Sequence, residues 1–254
     1  MRRFRAWPTG YRFGVDSAEV GCRLVFDVTS PAEIALKIEA RGASSSSLTT
    51  SCDGFPFLPV GRVVVEYRAT GFSPEPVVTD RLEALLPSRY CPSDRLGGFA
   101  ATMFGGSDDP VRAVTAWVFE HLTYQVGSSG PSTDAIDTLL SASGVCRDYA
   151  HLTATLCRAL NIPARVAAVY APGLSPMDFH LVVETLLDGE WRVWDSTRLA
   201  PRQTLIRIAT GRDAADVAFA TTLSGALTLP ELEIFAVAAG DLPFDDHTSL
   251  VTLP

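Results

Sequence analysis

The chain has 254 residues, 47% hydrophobic and 20% charged, which is enough apolar content for one large core or two modest ones and too much for a disordered chain. Twenty-one basic side chains stand against twenty-nine acidic ones, a formal net charge of −8. No Lys/Arg block is present that could neutralise a run of phosphates, which argues against a nucleic-acid partner.

In chain order, the N-terminal "MRRFRAWPTGYRFGVDS" starts with positive charge, but Pro8, Gly10, Arg12 and Asp16 interrupt any apolar segment, and no long apolar run follows elsewhere. The expectation is a cytoplasmic protein with no membrane partner. "CRLVFDV", "AEIALKIEA" and "GRVVVEYRA", between Val20 and Tyr67, are short β-type runs separated by "TSP" and "GASSSS", and read as an antiparallel β domain. A connector with Pro74, Pro76, Pro87 and Pro92 follows, and places a domain boundary near residue 95, giving 1–95 and 96–254.

Asp108, Asp109 and Pro110 then mark a helix start ahead of "VRAVTAWVFEHLTY", with an acidic cap and proline in the first turn. "TDAIDTLLSAS" reads as a second helix. A third begins at Val145 or Cys146 and runs through "CRDYAHLTATLCRAL" until Asn161, Ile162 and Pro163 stop it. Beyond Pro163 the period becomes strand-like in "ARVAAVYA", "HLVVETLL" and "EWRVWDST", with Asp188 and Gly189 a hairpin signal between the last two. The C-terminal part holds at least one further strand.

The third helix carries two thiols, Cys146 and Cys157. Only Cys146 stands at the helix N-terminus, where unpaired backbone N–H groups and the positive end of the macrodipole favour a thiolate and could hold a developing oxyanion. Gly144 would let backbone approach a substrate there. Cys157 is mid-helix among apolar neighbours and reads as packing, as do Cys22, Cys52 and Cys91. Five scattered cysteines with no CxxC pair indicate neither a disulfide framework nor a structural zinc site.

A thiolate nucleophile needs a base, and the base needs a third group to orient it. His121 and His151 lie inside helices and His247 in an acidic tail. His180 instead opens a strand eight residues before Asp188, and Asp195 follows Gly189 by six, so the two can meet near the open end of the hairpin. A zinc set of Cys146, His151, His180 and Asp195 is a weaker reading of the same residues. Asp148 reads as a structural acceptor for the loop around the site, and Tyr149, Trp191 and Trp194 as core.

The order Cys, His, Asp on a helix followed by two antiparallel strands resembles the transglutaminase-like superfamily, in its bacterial branch described as cysteine proteases. The matching blocks are "GVCRDYAHLTATLCRALNIPAR", "DFHLVVE" and "WRVWDST"; "LPSRYCPSDRL" and "TGRDAADVAF" add to them. The resemblance implies an α+β fold, with the N-terminal β domain followed by a papain-like core in which the cysteine helix packs on an antiparallel sheet. It implies Cys146 as nucleophile, His180 as general base and acid, and Asp195 as the orienting carboxylate. Leu181 and Val182 stand where family members often have alanine and tryptophan, which bears on the shape of the substrate channel.

The function expected is hydrolysis of a peptide or amide substrate through a thioester, with no cofactor and no metal. The alternatives are acyl transfer to an amine and a non-catalytic binding module on the same fold. Asp213 and Asp216 fall in a family-like segment, where they either touch the active site or cap a turn.

Overall fold

A computed structural model describes residues 18–75 and 80–253; the N-terminal segment interpreted above and part of the proline-rich connector lie outside the described residues. In chain order the elements are β1 (Glu19–Leu36), β2 (Ala43–Thr50), β3 (Phe57–Leu58), β4 (Gly61–Phe72), α1 (Gly97–Phe104), α2 (Pro110–His121), β5 (Thr123–Tyr124), α3 (Ala135–Ser141), β6 (Ser143–Gly144) and α4 (Cys146–Ala159). There follow β7 (Ala164–Tyr170), β8 (His180–Leu187), β9 (Glu190–Trp194), β10 (Ile206–Gly211), α5 (Ala214–Val217) and β11 (Ala220–Val237). The fold is α+β, with antiparallel pairing in both larger sheets.

The first sheet has the order β11-β1-β4-β2, with β3 also on β1. Two of its strands differ from the sequence expectation. "TSP" does not end a strand: β1 continues through Pro31, and register shifts between Val28 and Ser30 and between Ser30 and Glu33 absorb the residue that cannot donate to the ladder. Gly225 on β11 makes room for this bulge, since it has a φ of +80° and a Cβ there would stand 2.1 Å from the Pro31 carbonyl oxygen. The serines of "GASSSS" are not a loop either. They lie in β2, an edge strand paired only with β4 and mostly exposed, so no apolar alternation is needed to hold it. Strand β11, from beyond residue 95, pairs with β1 along nearly its whole length.

The second sheet has the order β10-β7-β8-β9. Helix α4 packs against it from one side, and eleven of the fourteen helix residues are buried, as befits a helix covered on all sides. The opposite side is sealed by a smaller cluster of Val169, Val182, Val193 and Leu205 together with Leu253 and Val251. The C-terminal segment is held there by the Val193 N–H to Val251 carbonyl bond at 2.8 Å and by the buried Arg202–Asp245 ion pair at 2.7 Å. The two sheets share one core cluster, and their seam is closed by Tyr170 donating to the Ile38 carbonyl and by the Arg41 N–H donating to the Arg207 carbonyl at 2.7 Å.

The helices start where their caps stand. The Asp109 carboxylate accepts from the Arg112 N–H with Pro110 in the first turn of α2, and Asp134 and Asp137 form a reciprocal capping box on α3. Helix α1, for which the sequence reading gave no element, opens on two glycines that hide it from a propensity argument. No helix among the described residues is long and apolar enough to cross a membrane.

Candidate active site

The N-terminus of α4 is built by Asp148. Its carboxylate accepts from the Val145 N–H at 2.8 Å and from the Ser129 hydroxyl at 2.6 Å, and its other oxygen takes the Arg147 guanidinium at 3.0 Å. Asp148 is fully buried, so each of these bonds counts; it joins the helix start to the loop that precedes it, as expected of a structural acceptor. Gly144 has a different role from the one read in the sequence. It is buried, and a Cβ on it would lie 2.5 Å from the Cβ of Asp148, so the glycine admits the aspartate and not a substrate.

Beside this turn, β5 and β6 form a short parallel pair that aligns Tyr124 with Gly144. The pairing brings Tyr124 beside the turn that carries Cys146, and burial, then the charge of Cys146, pushes its hydroxyl up to about 12. Sequence reasoning passed over Tyr124, which follows the end of α2 with no motif of its own; only the pairing of two dipeptides twenty residues apart locates it.

On the sheet side, Asp188 and Gly189 take φ values of 51° and 85°, a tight two-residue turn that aligns Val183 with Trp194. Extending that register puts Asp195 opposite Val182, diagonal to His180 on the same side of the sheet, a separation that long side chains span. His180 Nε2 and Asp195 Oδ2 are 2.9 Å apart, with both side chains buried. The other oxygen of Asp195 accepts from the Thr197 N–H at 2.8 Å and the Thr197 hydroxyl at 2.7 Å. With Nε2 so engaged, Nδ1 is the ring nitrogen left free for Cys146, whose side chain and charge act on the ring.

Burial alone would push the His180 ring down. The Asp195 charge and hydrogen bond, with a further contribution from Cys146, outweigh it and raise the ring to about 10. Asp195 is correspondingly held below the usual carboxylate range, its burial being outweighed by the His180 charge and the bonds from His180 and Thr197.

His180 and Asp195 are thus paired, Cys146 acts on the His180 ring, and Cys146 is the partly exposed member of the three. The other groups singled out from sequence are elsewhere. Cys157 is fully buried, and burial pushes its thiol up to about 12. Cys22 and Cys91 are buried and raised to about 11, also by burial. His151 does not join a metal set: its Nε2 accepts from the Ala214 N–H at 3.0 Å, and its ring stacks on Tyr90. Among the described residues no group of three or more His, Cys, Asp or Glu side chains is arranged to hold a metal ion.

Asp213 caps a turn, accepting from the Ala215 and Tyr90 N–H groups, and Asp216 pairs with Arg212. Tyr149 is core, with its hydroxyl on the Leu122 carbonyl at 2.7 Å. Trp194 is core, with its indole N–H on Thr185, while Trp191 lies under the Arg165 guanidinium.

Residues 99–196, which contain Cys146, His180 and Asp195, match the family model for the transglutaminase-like superfamily. The chain is similar to a protein of Cytophaga hutchinsonii whose crystal structure is described as that of a "putative cysteine protease", with 30% identity, a TM-score of 0.82, and coverage of 92% of this chain and 95% of that one. It is also 30% identical over 156 residues to the uncharacterized protein ML0607 of Mycobacterium leprae (strain TN); that match covers 56% of this chain and 55% of the relative, so it spans about half the relative's length. A match at this identity over nearly the full length of a solved structure, with the family model lying across the helix and hairpin of the site, settles the family: this chain belongs to the transglutaminase-like superfamily.

Proposed function

We propose that the protein is a cysteine-dependent amide hydrolase, a peptidase or amidase working through a thioester acyl-enzyme. The observation that carries this reading is the buried His180–Asp195 pair, 2.9 Å apart, whose ring feels the Cys146 side chain at the start of α4. A histidine oriented by a carboxylate, beside a thiol at a helix N-terminus, is the arrangement that activates a cysteine nucleophile.

In the first half-reaction the Cys146 thiolate attacks the amide carbonyl carbon. The carbonyl oxygen becomes an oxyanion, which the first-turn N–H groups of α4 stabilise, with the Tyr124 hydroxyl as a further donor. The C–N bond then breaks, His180 gives its proton to the departing amine, and a thioester remains on Cys146. In the second half-reaction His180 takes a proton from water, the hydroxide oxygen attacks the thioester carbonyl, and the C–S bond breaks to release the acid and restore the thiolate with its imidazolium. Asp195 orients the ring and stabilises its charge throughout. An amine in place of that water would make the same enzyme an acyltransferase.

Screening a peptide and amine library, with acyl-enzyme captured on Cys146 and read by mass spectrometry, identifies donor and acceptor together. A mass shift confined to Cys146 and absent from Cys146→Ala is expected; no acyl adduct with any donor, in a folded protein, rejects the reading. Alkylation gives an independent check. Cys146 is expected to react rapidly with iodoacetamide at neutral pH, while the buried Cys157 stays unmodified until the protein unfolds. Equal, slow labelling of both across neutral pH favours the non-catalytic binding module instead.

A further inference from the structure

The span matched by the family model ends at Ser196, one residue past Asp195, but the contacts that hold Asp195 in place continue beyond it. Asp195 is the first residue after β9, and the last pair of the β8–β9 ladder is Val183 with Trp194. Strand β9 is also the outermost strand of its sheet, so β8 supports it from one side only. The C-terminal segment supports the other. Both main-chain groups of Val193, two residues before Asp195, are committed there: its N–H donates to the Val251 carbonyl at 2.8 Å, and its carbonyl accepts from Arg202 Nη1 at 3.2 Å.

The Arg202 bond closes a loop. Residues 193 and 202 are the two ends of the stretch that carries Asp195, Ser196 and Thr197, and the guanidinium reaches from one end to the other. Asp245, from the C-terminal segment, fixes that guanidinium. Its carboxylate accepts from Arg202 Nε at 2.9 Å, from Nη2 at 2.7 Å and from the Arg202 main-chain N–H at 2.9 Å, and its second oxygen also takes the His247 N–H at 2.9 Å. Both side chains are buried. A buried ion pair is a weak source of stability, since apolar residues of similar volume often do as well. What a rigid planar fork supplies instead is direction: it holds two carboxylate oxygens and a carbonyl at once, as an ammonium does not.

We infer that Arg202 and Asp245 are positioning residues for the reaction, and that the C-terminal segment is a clasp that closes the neck of the 193–202 loop and so sets the Asp195 carboxylate against His180. The inference rests on the reading of Asp195 as the group that orients the ring. Neither residue touches the reacting atoms. Asp245 acts through Arg202, and Arg202 through Val193; Thr197 fixes the carboxylate within the loop, while the clasp fixes the loop's two ends.

The titration of the His180 ring, followed by NMR on the full chain, tests this without a known substrate. In Asp245→Asn the clasp loosens, the Asp195 charge withdraws, and the ring is expected to lose about tenfold in proton affinity, about one pH unit. Arg202→Lys, which keeps the charge but not the fork, is expected to move the ring the same way, and serves in place of Asp245→Asn if that variant does not fold. Leu253→Ala gives up packing on the same side of the sheet and none of the clasp's bonds. It is expected to lower the denaturant midpoint and leave the titration unchanged.

An unchanged titration in folded Asp245→Asn and Arg202→Lys, with a lowered midpoint in both, makes the pair structural only and overturns the inference. A shift of the same size in Leu253→Ala overturns it as well, since general loosening would then be enough. Wild-type protein that takes no acyl adduct on Cys146 from any donor rejects the hydrolase reading instead; the ring titration needs no turnover and still decides the clasp.

Discussion

Two histidines lie in this core with almost no exposure, His151 at 0% and His180 at 2%, yet their protons are held in opposite ways. Burial pushes both rings toward the neutral form. At His180 the Asp195 carboxylate reverses that push and the ring rises to about 10. At His151 burial wins and the ring falls to about 4, with Asp213 and Asp148 pulling one way and Arg147 and Arg158 the other. The hydrogen bonds agree with the charges. His151 Nε2 receives the Ala214 N–H and must keep a lone pair, whereas His180 Nε2 faces a carboxylate and gains by carrying a proton. Depth is therefore no guide to what a buried histidine does; its partner decides.

The largest way to break this contrast is Asp195→Asn. The amide keeps the shape but cannot stabilise the imidazolium, so His180 becomes a buried ring governed by desolvation, as His151 is. Acyl-enzyme formation is expected to slow by about 10³–10⁴-fold, the scale of losing the orienting acid of a catalytic triad. The His180 ring, followed by NMR, is expected to titrate below its ordinary value. Acyl-enzyme forming within tenfold of the wild-type rate would show that Asp195 is not what sets the ring's charge.

The contrast also predicts a stability profile. His180 is raised in the folded state, so its contribution is complete below the ordinary histidine value near 6.5 and is lost as pH climbs through about 10. His151 is lowered, so the unfolded chain takes up its proton first, and stability drains away as pH falls from 6.5 toward about 4, by roughly 3 kcal/mol. Denaturant titrations across pH should therefore peak near neutrality. His151→Phe is expected to keep the stack on Tyr90, leave the Ala214 N–H without an acceptor at a cost of about 1–3 kcal/mol, and flatten the acid limb relative to wild type. An acid limb of unchanged slope in that variant would mean that the buried carboxylates, and not His151, carry it.

How much of this was legible in the sequence depends on how local each signal is. Cys146 could be told from Cys157 because a helix N-terminus is a local feature, announced by its first turn and by Pro163 at the far end. The meeting of His180 and Asp195 could be counted because the Asp188–Gly189 turn fixes the register and with it every diagonal of the hairpin. Tyr124 could not be found, since its place depends on two dipeptides pairing across α3. Gly144 was misread because a glycine near a nucleophile suggests room for substrate, whereas the space is taken by the Asp148 side chain. The pairing of β11 with β1 spans almost the whole chain, and no local pattern in either strand names the other. The serine run and the Ser30–Pro31 step were read as breaks because composition does not show that an edge strand or a bulge can accommodate them.

The smallest expected effect concerns how the helix of Cys146 is tied to the loop of Asp195. Thr153 lies seven residues after Cys146 on α4, on nearly the same face, and its hydroxyl meets that of Ser196 at 2.7 Å where both residues are buried. Ser196 directly follows Asp195, so this bond spans the two halves of the site. Thr153→Val keeps the volume and leaves one buried hydroxyl without a partner, an expected loss of about 1–2 kcal/mol in denaturant unfolding. Pairing it with Ser196→Ala removes the orphan, so the double variant should be more stable than the sum of the single losses allows. The rate of acyl-enzyme formation should change far less than in Asp195→Asn, because Thr197 still holds Asp195 through two bonds of its own. If Thr153→Val slows the chemistry as much as Asp195→Asn does, the bond between helix and loop sets the geometry of the imidazolium, and Thr197 does not.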